Sequence, residues 1–502
     1  MALGVRVSGT GLVVLAPKGV NALKYATILV DGGGMANLNA PSVRLQPVSV
    51  TRKMSASLPG LRQLAKEKGL KIHHLGAGYP HPEVTDPRGF LEHQAAYFRY
   101  LEEREGLNDP NTLPEYLRES FSYIDTLGPL STRESFARVY GGDWGVEIDP
   151  AKLVPTVGAT GGINLACSMF ERAGIDIAYI TDAPTYAGFL ARAGLCQHAE
   201  IYSVEMDGEG PIPDGFRAAI DQARQDGRFV PFYYTVPDGH NPAGFSFSQA
   251  RREVILKLAQ QEGLLIVEDA PYVYINFAAP DKRAQPFFAM APEQTVHLFT
   301  GSKIGFPGPR IGFLYSEAEL TICDDKAVSF TELALMEASS DILFQNPGAL
   351  YGFEALLHEQ AQGQEAFVER KSLWPVAEEK LEVYRENRQI MLDGLTEGLG
   401  DYLEHFSWTV PQAGFFMVFT LHDANVKTDD VFINRLIADY GLVVIPMYDF
   451  YPADARRRDP NVGYNQLRLS FCFTESVGEQ RRNDLREAVA AFCEAMKLLC
   501  GT

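Results

Sequence analysis

Apolar and polar residues form a repeating pattern between about residues 150 and 315. The segment ATGGINLACSMFERAG places Ile163, Ala166, Met169 and Phe170 on one face of a helix that should stop at Gly174. The following segment, IDIAYI, has the composition of a strand. This pairing predicts one helix that leads directly into a buried strand.

The same unit recurs further along the chain. The segment QARREVILKLAQQEG carries Val254, Ile255, Leu258 and Ala259 at helical spacing and ends at Gly263, and the continuous apolar run LLIVED follows it. Such runs are typical of strands that are buried on both faces. The repeat therefore predicts an α/β fold with a mostly parallel central sheet covered by helices.

A long amphipathic segment near residue 375, PVAEEKLEVYRENRQIMLDGL, indicates the start of a smaller α+β domain. We expect an N-terminal extension at 1–45, the N-terminal part of the small domain at 46–90, a large domain at 91–372 and the C-terminal part of the small domain at 373–502. The apolar runs of the extension, GLVVLA and YATILV, are shorter than the roughly 20 apolar residues of a membrane helix. We therefore expect no membrane partner.

Composition narrows the function classes. The 502 residues are 46% hydrophobic and carry a formal charge of −19, which argues against a nucleic-acid surface because phosphate contacts need a basic patch. The six cysteines form no CxxC pair and have no metal-ligand spacing with histidine. We expect reduced thiols, a cytoplasmic protein and no metal site.

Polar side chains stand where several predicted strands end. Asn241 precedes a proline in YYTVPDGHNPAG, Asp269 ends the run LLIVED with Tyr272 three residues later, and Tyr186 follows a strand in TDAPTYAGF. Each has an ordinary interpretation as a turn, a cap or a core residue. Because ligands of open α/β sheets bind at the carboxyl ends of the strands, these residues together favour a binding site there.

Two small-residue loops add charge and free amides to that edge. PTVGATGGIN opens a helix, where backbone amides suit a phosphate, although it is neither a complete GxGxxG nor a P-loop. FTGSKIGFPGPRIGF sets Lys303 alone among glycines and prolines, with Arg310 seven residues later. A lone lysine in so small and stiff a loop is either a solvated loop residue or a residue with a chemical role.

Taken in this order, YTVPDGHNPAG, IVEDAPYVYINF and SKIGFPGPRIGF resemble segments of the class I/II aminotransferases, the fold-type-I enzymes that use pyridoxal 5'-phosphate. The sequence is most similar to the group of 2-aminoadipate, kynurenine and aromatic amino-acid aminotransferases. The similarity extends from about Thr51 to the C-terminus. It implies an enzyme that moves an amino group between an L-amino acid and a 2-oxo acid.

The resemblance implies roles for the residues around the cofactor. Lys303 would form the Schiff base with the cofactor and then carry the proton from the substrate α-carbon. Asp269 would pair with the pyridine nitrogen, which makes the ring an electron sink. The other implied cofactor contacts are the phosphate ligands Arg310, Thr300, Ala159 and Thr160, the stacking aromatic Tyr186, and Asn241 and Tyr272 at the phenolic oxygen.

Further residues bear on the substrate and on assembly. Arg468 in QLRLSFCF would bind the substrate α-carboxylate, with Gly78 and Asn241 beside the bound substrate. Tyr123 matches a tyrosine that reaches the phosphate of the neighbouring subunit's cofactor, which implies a homodimer with shared active sites. A core tyrosine is the alternative interpretation.

Some positions depart from the family pattern. Gly301 stands where a bulkier residue is common, and Ala270 stands where a second acidic residue is usual. The stretch between Gly78 and Tyr123 has no familiar substrate motif. Two alternatives therefore stay open. The same cofactor set could serve β- or γ-elimination, replacement or cyclisation, as in aminocyclopropane-carboxylate synthase acting on S-adenosylmethionine, or the domain could belong to a non-catalytic regulator, for which the basic winged-helix module is missing.

Overall fold

The computed structural model describes residues 48–501 apart from 107–111, 173, 363–365 and 424. The expected extension at 1–45 lies outside the described residues. The helices are α1 (Val50–Glu67), α2 (Pro87–Arg104), α3 (Glu115–Ser120), α4 (Leu130–Trp144), α5 (Gly158–Glu171), α6 (Ala187–Ala193), α7 (Pro213–Gln225), α8 (Gln249–Glu262), α9 (Phe287–Met290), α10 (Phe330–Asp341), α11 (Pro347–Leu356), α12 (Trp374–Leu399), α13 (Asp430–Tyr440), α14 (Ala453–Arg458) and α15 (Gly478–Cys500).

The strands are β1 (His73–His74), β2 (Leu153–Val157), β3 (Ile177–Ala183), β4 (Ala199–Asp207), β5 (Gly210–Pro211), β6 (Phe232–Thr235), β7 (Leu265–Asp269), β8 (Thr295–Thr300), β9 (Ile311–Tyr315), β10 (Glu319–Thr321), β11 (Ala327–Ser329), β12 (His358–Gln360), β13 (Phe367–Glu369), β14 (Phe406–Trp408), β15 (Phe416–Leu421), β16 (Leu442–Val443), β17 (Ile445–Pro446) and β18 (Gln466–Ser470).

The central sheet has eight strands in the order β2-β9-β8-β7-β6-β3-β4-β5. The inner strands β4, β3, β6, β7 and β8 pair in parallel, whereas β9, β2 and β5 join antiparallel at the two edges. Every residue of β3, β6, β7 and β8 is buried, as expected for strands covered on both faces. The predicted α/β fold with a mostly parallel sheet is confirmed.

A second, antiparallel sheet is formed by β14-β15-β18-β17 near the C-terminus. The long helices α12 and α15 pack beside it and bury Leu381, Leu395, Val489 and Phe492 in the same core. Strand β1 pairs in parallel with β16, with His73 opposite Leu442. The segment before the large sheet therefore pairs with the C-terminal part of the chain, in agreement with the assignment of 46–90 to the small domain. The domain boundaries themselves stay a prediction.

The ends of helix α8 follow from local chemistry, but its buried face differs from the one that its apolar residues predict. Helix α8 is capped by the Ser248 hydroxyl, which accepts from the amide of Arg251, and ends at Gly263 with φ of 65°. Val254 was predicted to face the core but is 43% exposed, because the buried face of α8 runs through Arg252 instead. Arg252 is fully buried since Asp238 neutralises it at 2.7 Å.

None of the described helices is both long and apolar enough to cross a membrane.

Candidate active site

A cavity of about 350 Å³ opens at the carboxyl ends of the parallel strands and reaches the antiparallel sheet. The helix α1 and the segment after β1 border it on another side. Eleven of the twelve predicted site residues line it: Gly78, Ala159, Thr160, Tyr186, Asn241, Asp269, Tyr272, Thr300, Lys303, Arg310 and Arg468. Tyr123 does not, and it is 89% exposed. Their roles stay predictions.

Lys303 lies on the loop between β8 and β9. Its Nζ donates to the carbonyl oxygen of Gly78 at 2.6 Å and lies 5.8 Å from the ring centre of Tyr272 and 5.7 Å from that of Phe415. Burial lowers the pKa of the amine to about 8, although the nearby Asp269 opposes that shift. The side chain thus supplies a neutral nucleophile much more readily than an exposed lysine does.

Asp269 is the last residue of β7 and is 3% exposed. Its Oδ2 accepts a hydrogen bond of 2.7 Å from the Tyr234 hydroxyl on the adjacent strand β6, whereas its Oδ1 is buried with no partner among the described residues. Burial raises the pKa of the carboxyl to about 7, and the Tyr234 hydrogen bond and Lys303 work in the opposite direction. A buried oxygen without a partner is costly, so this one calls for a ligand that carries a proton.

Arg310 lies at the opposite end of the cavity, beside the start of α5. Its guanidinium contacts the Val157 carbonyl oxygen at 3.3 Å and the Ser302 hydroxyl at 3.4 Å, and it forms no ion pair with a described carboxylate. Gly158 has φ of +65°, and a Cβ there would lie 2.5 Å from Arg310 Nη2. The first amides of α5 have no side-chain cap. Cation, free amides and helix dipole together suit a phosphate.

Thr300 and Ser302 shape the same end. The Thr300 hydroxyl donates to the carbonyl oxygen of Ile311 at 3.1 Å, and it accepts from the Ser302 amide at 3.2 Å. Thr300 therefore fixes the lysine loop, and the Ser302 hydroxyl is the one placed beside Arg310.

Aromatic rings form the walls. Tyr272 is buried and meets Phe415 and Phe416 edge to face, with ring centres 5.3 and 6.0 Å apart. Burial raises the pKa of its hydroxyl well above the usual value, so the group stays protonated and donates. Tyr186 follows β3 at the start of α6, and burial likewise raises its pKa. Both rings suit contact with a flat ligand.

Arg468 is on β18 of the antiparallel sheet and is 1% exposed. Its Nη1 donates to Asn241 Oδ1 at 2.9 Å, its Nη2 donates to the Gly76 carbonyl oxygen at 3.0 Å, and its guanidinium stacks on Phe416 at 3.9 Å. No described carboxylate pairs with it, and burial lowers its pKa to about 10. A buried arginine of this kind is stabilised by an anionic ligand.

These residues fit pyridoxal 5'-phosphate. The unpartnered Oδ1 of Asp269 suits the ring nitrogen, the buried amine of Lys303 suits the aldehyde, and the cradle of Gly158 and Arg310 suits the phosphate. The cation of Arg468 remains for the carboxylate of a substrate. No set of described residues is spaced to hold a metal ion.

Four residues at the site were missed by sequence reasoning: Tyr234, Ser302, Phe416 and Cys472. Tyr234 and Phe416 stand inside apolar runs, where an aromatic residue indicates only a core position. Cys472 looked like one more buried thiol. Ser302 alone had a usable signal, because a hydroxyl directly before the lysine and near Arg310 could be expected to contact the same anion.

Comparison with known proteins identifies the family. The profile of "Aminotransferase class I and II" matches residues 116–477. A (S)-3,5-dihydroxyphenylglycine transaminase of Amycolatopsis orientalis is 26% identical over 84% of this chain and 88% of its own length. Aromatic-amino-acid aminotransferase 1 of Thermococcus litoralis is 25% identical over 77% of this chain and 82% of its own.

Solved structures share the fold. Pyrococcus horikoshii kynurenine aminotransferase superposes with a TM-score of 0.69 at 21% identity, covering 91% of this chain and 96% of the other. An archaeal alanine:glyoxylate aminotransferase gives a TM-score of 0.67 at 22% identity, covering 89% and 95%. The fold is that of the fold-type-I enzymes.

The chain belongs to the aminotransferase class I and II family. It is a pyridoxal-phosphate-dependent aminotransferase that moves an amino group between an amino acid and a 2-oxo acid. The relatives reported above are all aminotransferases, so they favour transamination over the elimination or cyclisation alternative.

Proposed function

We propose that transamination in this enzyme is carried out by Lys303, Asp269 and Arg468, acting in the cavity described above on an L-amino acid. The observation that supports this most directly is that all three ionisable side chains are enclosed in one cavity, and none forms an ion pair within the described chain. Each therefore keeps its charge or its proton for a ligand.

The cofactor supplies an aldehyde for the amino group and an electron-poor ring that accepts the electron pair left at the α-carbon. Lys303 would hold the cofactor through Nζ, and as a free amine Nζ would take the proton from the substrate α-carbon. Its pKa of about 8 suits both tasks, since a neutral amine is needed at each. Asp269 Oδ1 holds the proton on the ring nitrogen, which keeps the ring electron-poor.

The remaining residues bind and orient. Arg468 binds the α-carboxylate through the edge of its guanidinium that Asn241 and Gly76 leave free, which fixes the direction of the α-hydrogen. Arg310, Ser302 and the amides of Ala159 and Thr160 would hold the phosphate. The Thr300 hydroxyl, predicted as a further phosphate ligand, instead bonds the Ile311 carbonyl oxygen and the Ser302 amide and fixes the loop. Tyr272 and Asn241 would donate to the phenolic oxygen, and Tyr186 would stack on the ring.

The first test is the visible spectrum of the purified enzyme while a panel of L-amino acids and S-adenosylmethionine is added without any oxo acid, with the products identified by mass spectrometry. We expect stoichiometric loss of the visible cofactor band and release of one 2-oxo acid, which names the donor. Release of a product that has lost a side-chain group while the band returns would refute transamination.

A second test addresses the lysine. Borohydride reduction of the wild-type holoenzyme should attach the cofactor to the peptide that contains Lys303, as read by mass spectrometry, and Lys303→Ala should yield no attached cofactor. Attachment to another lysine in either protein contradicts the assignment.

The active enzyme is proposed to be a homodimer with shared sites. Tyr123 is 89% exposed although it is aromatic, and its ring contacts Phe344 edge to face at 6.1 Å. Phe121 beside it is 85% exposed. Exposed aromatic residues at this density favour a protein interface.

The shared site can be tested by complementation. Lys303→Ala and Tyr123→Ala chains should each be inactive or strongly impaired alone. Mixed dimers should regain up to half the wild-type activity, because one site then combines an intact Lys303 with an intact Tyr123 from the other chain. Mixed dimers no more active than the two parents would refute the shared site.

Two further expectations remain proposals. We assign 46–90 and 373–502 to the small domain and 91–372 to the large domain, supported by the pairing of β1 with β16. We also propose a cytoplasmic location, supported by six cysteines that are all free.

A further inference from the structure

The segment Gly76–Tyr79, directly after β1, presents its four consecutive carbonyl oxygens to side chains of the site. Gly76 accepts from Arg468 Nη2 at 3.0 Å, and Gly78 accepts from Lys303 Nζ at 2.6 Å. The other two carbonyl oxygens, those of Ala77 and Tyr79, lie 3.4 and 3.3 Å from one sulfur atom, Sγ of Cys472. The segment thus contacts two of the basic side chains of the site, Arg468 and Lys303, and one thiol, that of Cys472.

Cys472 is placed to act as the anchor of this segment. It follows β18, four residues after Arg468, and is wholly buried. Its Sγ also lies 3.1 Å from the Ser470 hydroxyl, so a thiol hydrogen has only oxygen acceptors around it. Burial raises the pKa of the thiol to about 11, so the group remains a donor at neutral pH.

Other contacts hold the two ends of the segment. The Ser470 amide donates to the Leu75 carbonyl oxygen at 2.7 Å, which joins the start of the segment to the end of β18. Phe416 fills the space between Gly78 and the guanidinium of Arg468: a Cβ on Gly78 would lie 3.0 Å from the ring, and Arg468 stacks on it at 3.9 Å. At the far end, the Tyr79 ring meets Phe473 edge to face with ring centres 4.5 Å apart, and the His81 amide donates to the Tyr384 hydroxyl at 3.1 Å. Between these two ends, the backbone is held by the side chains that its carbonyl oxygens bind.

We propose that Gly76–Tyr79 is a positioning element that sets Arg468 and Lys303 relative to each other, and that Cys472 is the residue that holds it in place. Cys472 is not among the residues that line the cavity, and it acts through the backbone. The proposal rests on the proposed function of Arg468 and Lys303. The two fail separately, because wild-type transamination tests the function and the Cys472 variants test the anchor.

The variants are chosen to separate the hydrogen bonds from the volume. Cys472→Ala removes the thiol. Cys472→Val removes the hydrogen-bond donor but keeps a side chain of similar size, and Cys472→Ser keeps a hydrogen-bond donor. The matched control is Cys493→Ala. Cys493 is also a buried thiol, 3% exposed, with Sγ 3.7 Å from a carbonyl oxygen, that of Gly394, but it lies between α12 and α15.

The two readouts are binding affinity, for the amino-acid donor and for the cofactor, and hydrogen exchange of the holoenzymes. We expect Cys472→Ala and Cys472→Val to bind the amino-acid donor about tenfold more weakly, because the loss of a hydrogen bond costs a free energy of about this size. Their affinity for the cofactor should stay within about threefold of wild type. Hydrogen exchange of peptides covering 75–81 should be faster in both. Cys472→Ser should restore donor binding to within about threefold, and Cys493→Ala should leave both readouts at wild-type values.

Specific results overturn the proposal. If Cys472→Val binds the amino-acid donor and exchanges its amide hydrogens as Cys493→Ala does, the thiol does not hold the segment. A serine variant as impaired as the valine variant would mean that sulfur packing, and not donation, is what matters. Parallel loss of cofactor and donor affinity would indicate general loosening.

Discussion

Tyr234→Phe tests how the structure sets the acidity of Asp269. The Tyr234 hydroxyl provides the hydrogen bond to Oδ2 of this carboxyl, at 2.7 Å. Its ring stacks on Phe189 with centres 3.9 Å apart and planes within 8°. Because phenylalanine keeps this stack and fills the same buried space, the substitution removes one hydrogen bond and little else.

The size of the effect follows from burial and charge. Hydrogen bonds to charged groups contribute about 1.5–3 kcal/mol, and one pKa unit corresponds to about 1.36 kcal/mol, so the pKa of Asp269 should rise by about one to two units. Burial already raises that pKa to about 7 while Tyr234 lowers it. A more basic Asp269 draws the proton away from the ring nitrogen of the cofactor. The rate of α-proton removal should then fall roughly ten- to a hundredfold.

The sign of the pH dependence is opposite to that of an ordinary surface carboxylate. Asp269 binds its proton more tightly in the folded chain than in the unfolded chain, so without cofactor its contribution to stability falls as the pH rises from about 4 to about 7. In Tyr234→Phe this decline should extend about one to two pH units higher.

The assay is single-turnover loss of the visible cofactor band with the best donor from the panel, measured from pH 6 to 9. Tyr233→Phe is the control, because Tyr233 is the neighbouring residue on β6, is equally buried, and donates to a different carboxylate, Asp182, at 2.5 Å. The control should lose stability but keep its rate within about threefold. Equal rates in the two variants, or a Tyr234→Phe rate within threefold of wild type, would refute this account of Asp269.

Three other substitutions or measurements probe the remaining parts of the site. Gly158→Ala should weaken cofactor binding at least about tenfold in a fluorescence titration, because its Cβ would lie 2.5 Å from Arg310 Nη2, whereas Gly161→Ala, with its nearest neighbour at 3.4 Å, should bind normally. Arg468→Ala should raise the dissociation constant of the donor about a hundredfold or more but change that of the cofactor less than about threefold, and equal losses would place the arginine elsewhere. The rate at which the unliganded enzyme binds pyridoxal phosphate covalently should rise with pH around a midpoint of about 8, since Lys303 reacts as the neutral amine; a midpoint above about 10 would contradict its burial.

The sheet could be predicted because its strands are buried on both faces and its helices have regular ends. LLIVED became β7, and the helix before it ended at Gly263 as expected. Local patterns do not reveal which neighbour a strand takes, so the antiparallel pairing of β9 with β8 and β2 was not foreseen. The burial of α8 could not be predicted for a related reason. The sequence places Arg252 on the solvent side of the helix, and Val254 on the buried side, unless Asp238 is known to neutralise Arg252.

Part of the site could be located from sequence because pyridoxal phosphate makes demands that few residue types meet. The proposed chemistry needs a reactive amine, an acid for the ring nitrogen and a cation for the phosphate. Lys303, Asp269 and Arg310, the residues proposed for these roles, line one cavity at the strand ends and stand in recognisable segments. Tyr234 and Cys472 act through other protein groups. Their importance depends on contacts between residues far apart in the chain, such as the sulfur of Cys472 and the carbonyl oxygen of Ala77.

The substrate side chain escapes prediction for a different physical reason. Apart from the residues with proposed roles, the cavity is lined by apolar side chains and by polar ones. The apolar side chains include Met54 and Leu58 of α1, Phe416 on β15, Val443 on β16 and Ile445 on β17, and the polar ones include Ser49, Thr51, Arg52, Ser55, His74 and Tyr79. The apolar types are what any core would contain, and the sequence around Arg52 and His74 carries no motif that marks a ligand contact. Along the apolar part of the wall, selectivity comes from shape, and one methylene group changes binding by about 1–3 kcal/mol. The pocket is formed jointly by segments far apart in the sequence, so the donor has to be found by measurement. Replacing one of these apolar residues by a smaller one should widen the range of donors while leaving the cofactor in place.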